Sequence, residues 1–325
     1  MMLALLDNEE SQKTYRQAAL FHKDTFGEKN MECTVSEGSG TNAGLTWRTN
    51  LLQKFGGKMS LIFRPEADLF YCNKLIPNGI NIKLTFRQSN NEFRLMIGKN
   101  KQKVVLKILE GKFFPKYVKL DPGLLVQTEE MLQKNVALLP FTKITCAYET
   151  LAQGSPSFSC RDIGQGIVPT SLCLFLTKTA AKLGQYDLNP YNFIHQNLQR
   201  LTVKTDTDVL FALDTNFPKD YTNAYYNLYP NTYGETNPFS VSIEEFGGGY
   251  MAIFVELTSP VQIKDSSGGV WVKQKGGKIN INLTFAKPLP FPVDLCCFMF
   301  SLDVVQITKN RHISLASHIF RGLDK

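Results

Sequence analysis

Histidine and tryptophan are scarce in this chain, with four His (22, 195, 312, 318) and two Trp (47, 271) in 325 residues. No two histidines stand two apart, so the H-x-H metal pair of a cupin-type enzyme is missing. The six-residue gap between His312 and His318 suits neither one strand face nor one helix turn, which argues against a metal site. No H-E-x-x-H, no G-x-S-x-G elbow and no C-x-x-C occurs, so the common zinc-protease, serine-hydrolase and dithiol chemistries have no anchor. No apolar run approaches the roughly 20 residues of a membrane helix. The start, MMLALLDNEE, has no basic n-region and does not fit a signal peptide. A polybasic N-terminal arm is also lacking, since residues 1–50 hold five basic groups against seven acidic ones.

The composition is that of a globular protein: 43% hydrophobic, 20% charged, with a net charge of +7. Its 23 Phe and 12 Tyr favour sheet packing, because aromatic rings suit a pleated, half-buried surface. Seven cysteines (33, 72, 146, 160, 173, 296, 297) are odd in number and sit mostly in strand-like apolar runs. They read as reduced thiols, made in a cytosol or nucleus. A chain of this length exceeds one ordinary domain, so two domains are expected.

Period-two alternation dominates. NGINIKLTF (78–86) puts Ile80, Ile82, Leu84 and Phe86 on one face, and GGKININLTF (276–285) does the same with Ile279, Ile281, Leu283 and Phe285. Such alternation predicts strands with one face on a core. Further strands are predicted over 59–63, 68–73, 93–97, 103–109, 137–149, 171–177, 197–205, 239–246, 249–257, 269–275 and 294–308. Helices are few: one over 121–134, capped by Asp121 with Pro122 in its first turn, and a weaker candidate over 7–21. Segment 220–235 reads as an ordered loop with a helical turn. Short strands separated by Gly, Pro and Asn, without a βαβ rhythm, indicate sandwiches or barrels. The break between two sandwiches is expected near 177–193, where Asn189-Pro190 initiates a turn.

Other motifs carry little chemistry. GSGTNAG (38–44) lacks the Lys-Ser/Thr of a phosphate loop and reads as a connector; FGGGY (246–250) reads as a bend between strands. The carboxylate pairs Glu129–Glu130 and Glu244–Glu245 are adjacent, which on a strand sends them to opposite faces. His195, inside the aromatic turn NPYNFIHQNLQRLTVKT (189–205), reads as a turn or core histidine. The densest basic segment, 98–120, holds Lys99, Lys101, Lys103, Lys107, Lys112, Lys116 and Lys119 against one Glu. A solvated loop and edge strand is the simpler reading of it, and a patch facing a polyanion is the sharper one.

Three segments in order, LIPNGINIKLTFRQSNNEFRLM (75–96), NPYNFIHQNLQRLTVKT (189–205) and the stretch 276–313, give the chain a family likeness. It resembles the major capsid proteins of Polinton/Maverick elements and adintoviruses. Asn189, Pro190, Tyr191, Asn192 and Phe193 fill that family's N-P-aromatic-N-F segment before the second roll. Gly277 through Arg311 match its strand, Leu-Pro turn and final strand ending in basic residues. The resemblance implies an all-β double jelly roll: two adjacent eight-stranded antiparallel sandwiches with few short helices. It divides the chain into an N-terminal arm (1–50), a first jelly roll (51–183) and a second (184–325).

That likeness also implies a function. The chain is expected to be a non-enzymatic capsid protein without cofactors, forming pseudo-hexameric homotrimers in an icosahedral double-stranded DNA virus or virus-like transposon. Expected partners are further copies of itself, a penton or minor capsid protein, and packaged DNA through non-specific contacts. The expected location is the virion, assembled in the host nucleus or cytoplasm. Two other classes fit the residues: a minor penton or spike protein with one jelly roll and an accessory domain, and a lectin-like carbohydrate-binding sandwich.

Overall fold

The computed structural model describes residues 15–27, 30–33, 42–65, 67, 70, 75–97, 104–228, 241–257 and 275–315. The chain divides into two compact units, each discontinuous in sequence. The first comprises 1–66, 89–102 and 144–301; the second comprises 67–88, 103–143 and 302–325.

The protein is mostly β, with antiparallel sheets and few helices. The first unit is a two-sheet sandwich. Its strands, in chain order, are β1 (Ala137–Leu151), β2 (Ser157–Cys160), β3 (Ile167–Val168), β4 (Ser171–Lys178), β5 (Leu198–Lys204), β6 (Val209–Asp214), β7 (Ile253–Glu256), β8 (Lys275–Gly276), β9 (Asn280–Phe285) and β10 (Val293–Ile307). One sheet has the order β1-β10-β4-β7, the other β2-β9-β5-β6, and β3 pairs with β8 beside them. Apart from the step from β5 to β6, the chain changes sheet between consecutive strands of these two paths. The chain thus passes back and forth between two antiparallel sheets. Strands from both sides of residue 184 contribute to both sheets.

Burial explains why these segments are strands. β4 is buried on both faces over Leu172–Thr177, flanked by β10 on one side and β7 on the other. β9 is half-buried: Ile281, Leu283 and Phe285 enter the core between the sheets, while the intervening residues look outward. On that outer face Ser159 Oγ donates to Asn282 Oδ1 (2.7 Å) and Asn282 Nδ2 donates to Thr202 Oγ1 (3.3 Å), a polar ladder across β2, β9 and β5.

The first unit also holds short helices. α1 (Ala43–Lys54) starts at Asn42, whose Oδ1 accepts from the Leu45 amide at 3.1 Å. A helix therefore does follow GSGTNAG, whose first four residues lie outside the described ones. α2 (Asn91–Arg94) replaces part of the strand expected over 93–97. The second unit holds α3 (Pro122–Lys134), capped by the Asp121 carboxylate as predicted. Back in the first unit are α4 (Thr179–Leu183), α5 (Thr222–Tyr226) and α6 (Ile243–Gly247). α6 occupies the second half of the strand expected over 239–246. There Ser242 and Glu245 form a reciprocal capping box that satisfies the first turn of a helix.

The second unit contains the beginning of β1, α3 and the end of β10, which pairs with β11 (Ile313–Leu315). Arg311 ties its pieces together, donating to the Asn78 carbonyl at 2.7 Å and pairing with Glu129. Among its described residues the buried side chains are few: Leu132, Leu139, Asp303, Val304 and Ile307. The strands predicted over 59–63, 78–86 and 103–109 are absent from their described residues, which carry no helix or strand. Alternation supplies a face but no neighbour, and a strand without a ladder leaves its amides to water. Of the helix predicted over 7–21, residues 7–14 lie outside the described ones, and Tyr15–Ala19 form one short 3-10 helix. The strands predicted over 68–73 and 269–275 lie outside them too, except for residue 70 and for Lys275, which opens β8.

Candidate assembly surfaces

Asn189–Phe193 lies between β4 and β5, strands of opposite sheets in the one sandwich. Asn189 organises the turn: its Oδ1 accepts from the Tyr191 amide (2.9 Å), its Nδ2 donates to Asp24 Oδ2 (3.0 Å), and its amide donates to Glu32 Oε2 (2.9 Å). Asn192 Nδ2 and Lys178 Nζ both reach Glu32 Oε1 at 2.9 Å. Asp24, almost fully buried, pairs with Arg48 Nη2 of α1 at 2.7 Å. Its carbonyl accepts from the Tyr250 hydroxyl at 2.7 Å. Residues 22–27 and 30–33 are thus strapped across the turn by two carboxylates whose charges are matched by Arg48 and Lys178. Buried charge is tolerated because each is paired and hydrogen-bonded.

Phe193 and Ile194 then enter the core. Phe193 exchanges backbone bonds with Gly249 and Met251 and stands 4.3 Å, centroid to centroid, from Phe175. Tyr191 packs edge-on against Phe93, and burial pushes its hydroxyl above the usual tyrosine range. His195 stacks on Phe217 at 4.8 Å and accepts the Asn197 amide at Nδ1 (2.9 Å). These are structural roles: the segment seals the seam between two sheets. Sequence reading singled out the turn but missed Asp24, Glu32 and Arg48, which stand some 140–165 residues away and carry no local signature.

A second buried carboxylate, Asp294 on β10, accepts from Thr150 Oγ1 (2.6 Å) and Thr179 Oγ1 (3.0 Å) and faces Lys182 Nζ at 3.0 Å as an ion pair. Lys182 also lies 4.3 Å above the Tyr148 ring. Nearby thiols are poor nucleophiles. Burial pushes Cys146 up, and it pushes Cys173 up to about 12, so neither is a thiolate at neutral pH. An open cavity of about 410 Å³ beside α4 is lined by Lys178, Thr179, Leu183, Gln185, Phe291 and Pro292, among others. It gathers no acid–base pair. Among the described residues no group of three His, Cys, Asp or Glu could hold a metal ion, and no helix is long and apolar enough to cross a membrane.

Of the basic segment, Lys99, Lys101 and Lys103 lie outside the described residues. Lys107, Lys112, Lys116 and Lys119 are exposed, and Lys112 pairs with Glu110 at 3.0 Å. What surrounds them is apolar: Leu109, Phe114 and Tyr117 are 78%, 81% and 88% exposed. Among the described residues the backbone of 104–120 makes no backbone–backbone hydrogen bond. Solvated apolar side chains of this number are unusual on a monomer.

No protein-family model matches the chain, and no curated protein matches it. Solved structures do. The Sputnik virophage cryo-EM structure aligns at a TM-score of 0.36 with 15% identity, over 55% of this chain and 38% of that one. The mavirus major capsid protein aligns at 0.32 with 12% identity, over 55% and 41%. The Faustovirus major capsid protein aligns at 0.34 with 10% identity, over 57% and 36%. The chain therefore spans well under half the length of these structures.

Proposed function

We propose that the chain is a major capsid protein, assembling as a homotrimeric, pseudo-hexameric capsomer of an icosahedral double-stranded DNA virus or a virus-like transposon of the Polinton and adintovirus kind. The observation that carries this reading is the wiring of the sandwich. Its two sheets, β1-β10-β4-β7 and β2-β9-β5-β6, are those of a jelly roll, a fold common in viral shells. The ordered sequence likeness of 75–96, 189–205 and 276–313 to that family points the same way. In a double jelly roll the sandwich of residues 137–307 is one of the two. The other draws on residues before 137, where NGINIKLTF supplies a strand pattern waiting for a partner.

On this reading the partners are further copies of the chain, a penton protein at the vertices, and packaged DNA through non-specific contacts. The location is the virion. A trimer of double rolls presents six similar flanks, which is how three chains fill a hexagonal position. Negative-stain microscopy of the purified full chain tests the proposal. Hexagonal trimers or closed shells are expected, and small featureless monomers overturn it.

A second reading is favoured by one specific observation: the described strands form one sandwich. A minor penton or spike protein needs one jelly roll and an accessory domain. Its signature in the same experiment is a pentamer or a monomer, where the major shell protein gives a stable trimer.

A further inference from the structure

Among the described strands β6 stands at the edge of its sheet, with β5 as its neighbour on one side. Its ends and flanks carry Asp206, Asp208, Asp214 and Asp220, all exposed, against one basic residue, Lys219, over 205–220; Asp214 already pairs with Arg200 of β5 at 3.4 Å, which leaves Asp206 and Asp208 as the acidic end of the edge. Two apolar side chains on the strand, Val209 and Leu210, are also exposed. An open edge is a template for a further strand, and charge is what decides which strand it accepts. Edge β7 differs: the Phe254 amide on it already donates to the Asn227 carbonyl. Edge β2 is only four residues long and follows Pro156.

Elsewhere in the chain, residues 104–119 have the opposite character. They carry Lys107, Lys112, Lys116 and Lys119 against Glu110, and their apolar side chains are exposed. The stretch Val104–Leu109 is rich in strand-forming residues and matches the six residues of β6 in length. Two β6 edges repel one another, as do two lysine segments, so neither surface is suited to pair with its own image. Each suits the other.

We propose that residues 104–119 of one copy add as a strand to the β6 edge of a second copy, with the lysines held by Asp206 and Asp208. The contact is heterologous, so copies joined by it close into a ring or extend into a filament. Closure at three copies deepens, and rests on, the capsomer reading above. Backbone pairing gives the contact its affinity, and the charges give it direction and partner choice.

Two full-length variants test it: K107E/K112E/K116E, which makes both surfaces acidic, and D206K/D208K, which makes both basic. The altered residues are exposed, so unchanged circular dichroism and melting temperature are expected of each. In sedimentation velocity, each variant alone is expected to self-associate at least about tenfold more weakly than wild type. A 1:1 mixture is expected to recover association, because the acidic segment of one variant meets the basic edge of the other. Salt is expected to weaken the wild-type contact. Self-association that ignores both reversals, or a mixture that stays dissociated, overturns this contact and leaves the capsid reading standing. Association that follows the charges but gives only filaments under the microscope overturns the capsomer reading and leaves the contact standing.

Discussion

Residues 80–86 and 279–285 differ at one position in seven, INIKLTF against ININLTF, yet they end in different states. The second is β9, with β2 on one side and β5 on the other, and its Ile281 is fully buried. The first forms no strand; its Ile82 is 51% and its Phe86 66% exposed. Composition cannot account for this, because the apolar face is identical. What differs is supply of neighbours. β9 finds strands that take its amides and a second sheet that covers its face, whereas 78–86 lies in a unit with few buried side chains. Strand propensity is in this sense a property of the site as much as of the sequence.

The pair can be separated experimentally. Ile281→Ala removes a methyl-rich side chain from a packed core and is expected to cost about 2–5 kcal/mol. Ile82→Ala is expected to stay within about 0.5 kcal/mol in the isolated chain. Urea denaturation of both variants measures the contrast, and equal losses would show that 78–86 is packed after all. If assembly covers 78–86, the Ile82→Ala loss rises in the assembled state.

The strap across Asn189–Phe193 offers a smaller test of why one unit is well packed. Gly249 has φ +127, and a Cβ there would run into Met31 Sδ and Asn192 Oδ1. Gly249→Ala is expected to cost about 1–3 kcal/mol, through strain and displacement of the strap. A melting temperature unchanged from wild type would contradict that close approach. The corresponding change at Gly57, also at positive φ but with open space around it, isolates the backbone component.

The smallest effect is one of pH. Burial raises Cys173 from its ordinary 9.0 to about 12 in the folded protein. Below pH 9 the thiol is neutral in both states and contributes no pH dependence. Between pH 9 and 12 the unfolded chain releases this proton and the folded one retains it, so stability falls as pH rises. Melting in a reducing buffer is expected to show the decline in wild type and a shallower one in Cys173→Ala. Identical slopes would place the alkaline loss elsewhere.

Much of the sandwich was legible in the chain. β1, β4, β5, β9 and β10 fall where apolar periodicity predicts strands, and α3 begins at its predicted Asp121 cap. The short strands β2, β3, β6 and β11 escaped, because a strand of two to six residues carries too little pattern to rise above loop composition. α6 escaped because Ser242 and Glu245 signal a cap only when the helix entry is considered ahead of alternation. Within the turn at 189–193, Asn189 and Pro190 were visible as a turn, while the carboxylates that hold it were not.

The sequence by itself determined the strand-rich class, the lack of the familiar catalytic motifs and the position of the longest strands. Each follows from local composition and spacing. Only the tertiary structure decided which alternating segment becomes a strand, that residues on both sides of 184 interleave in one sandwich, and that Asp24 and Glu32 close the turn after β4. Those outcomes depend on contacts between residues more than a hundred positions apart, where periodicity carries no information and the supply of partners decides.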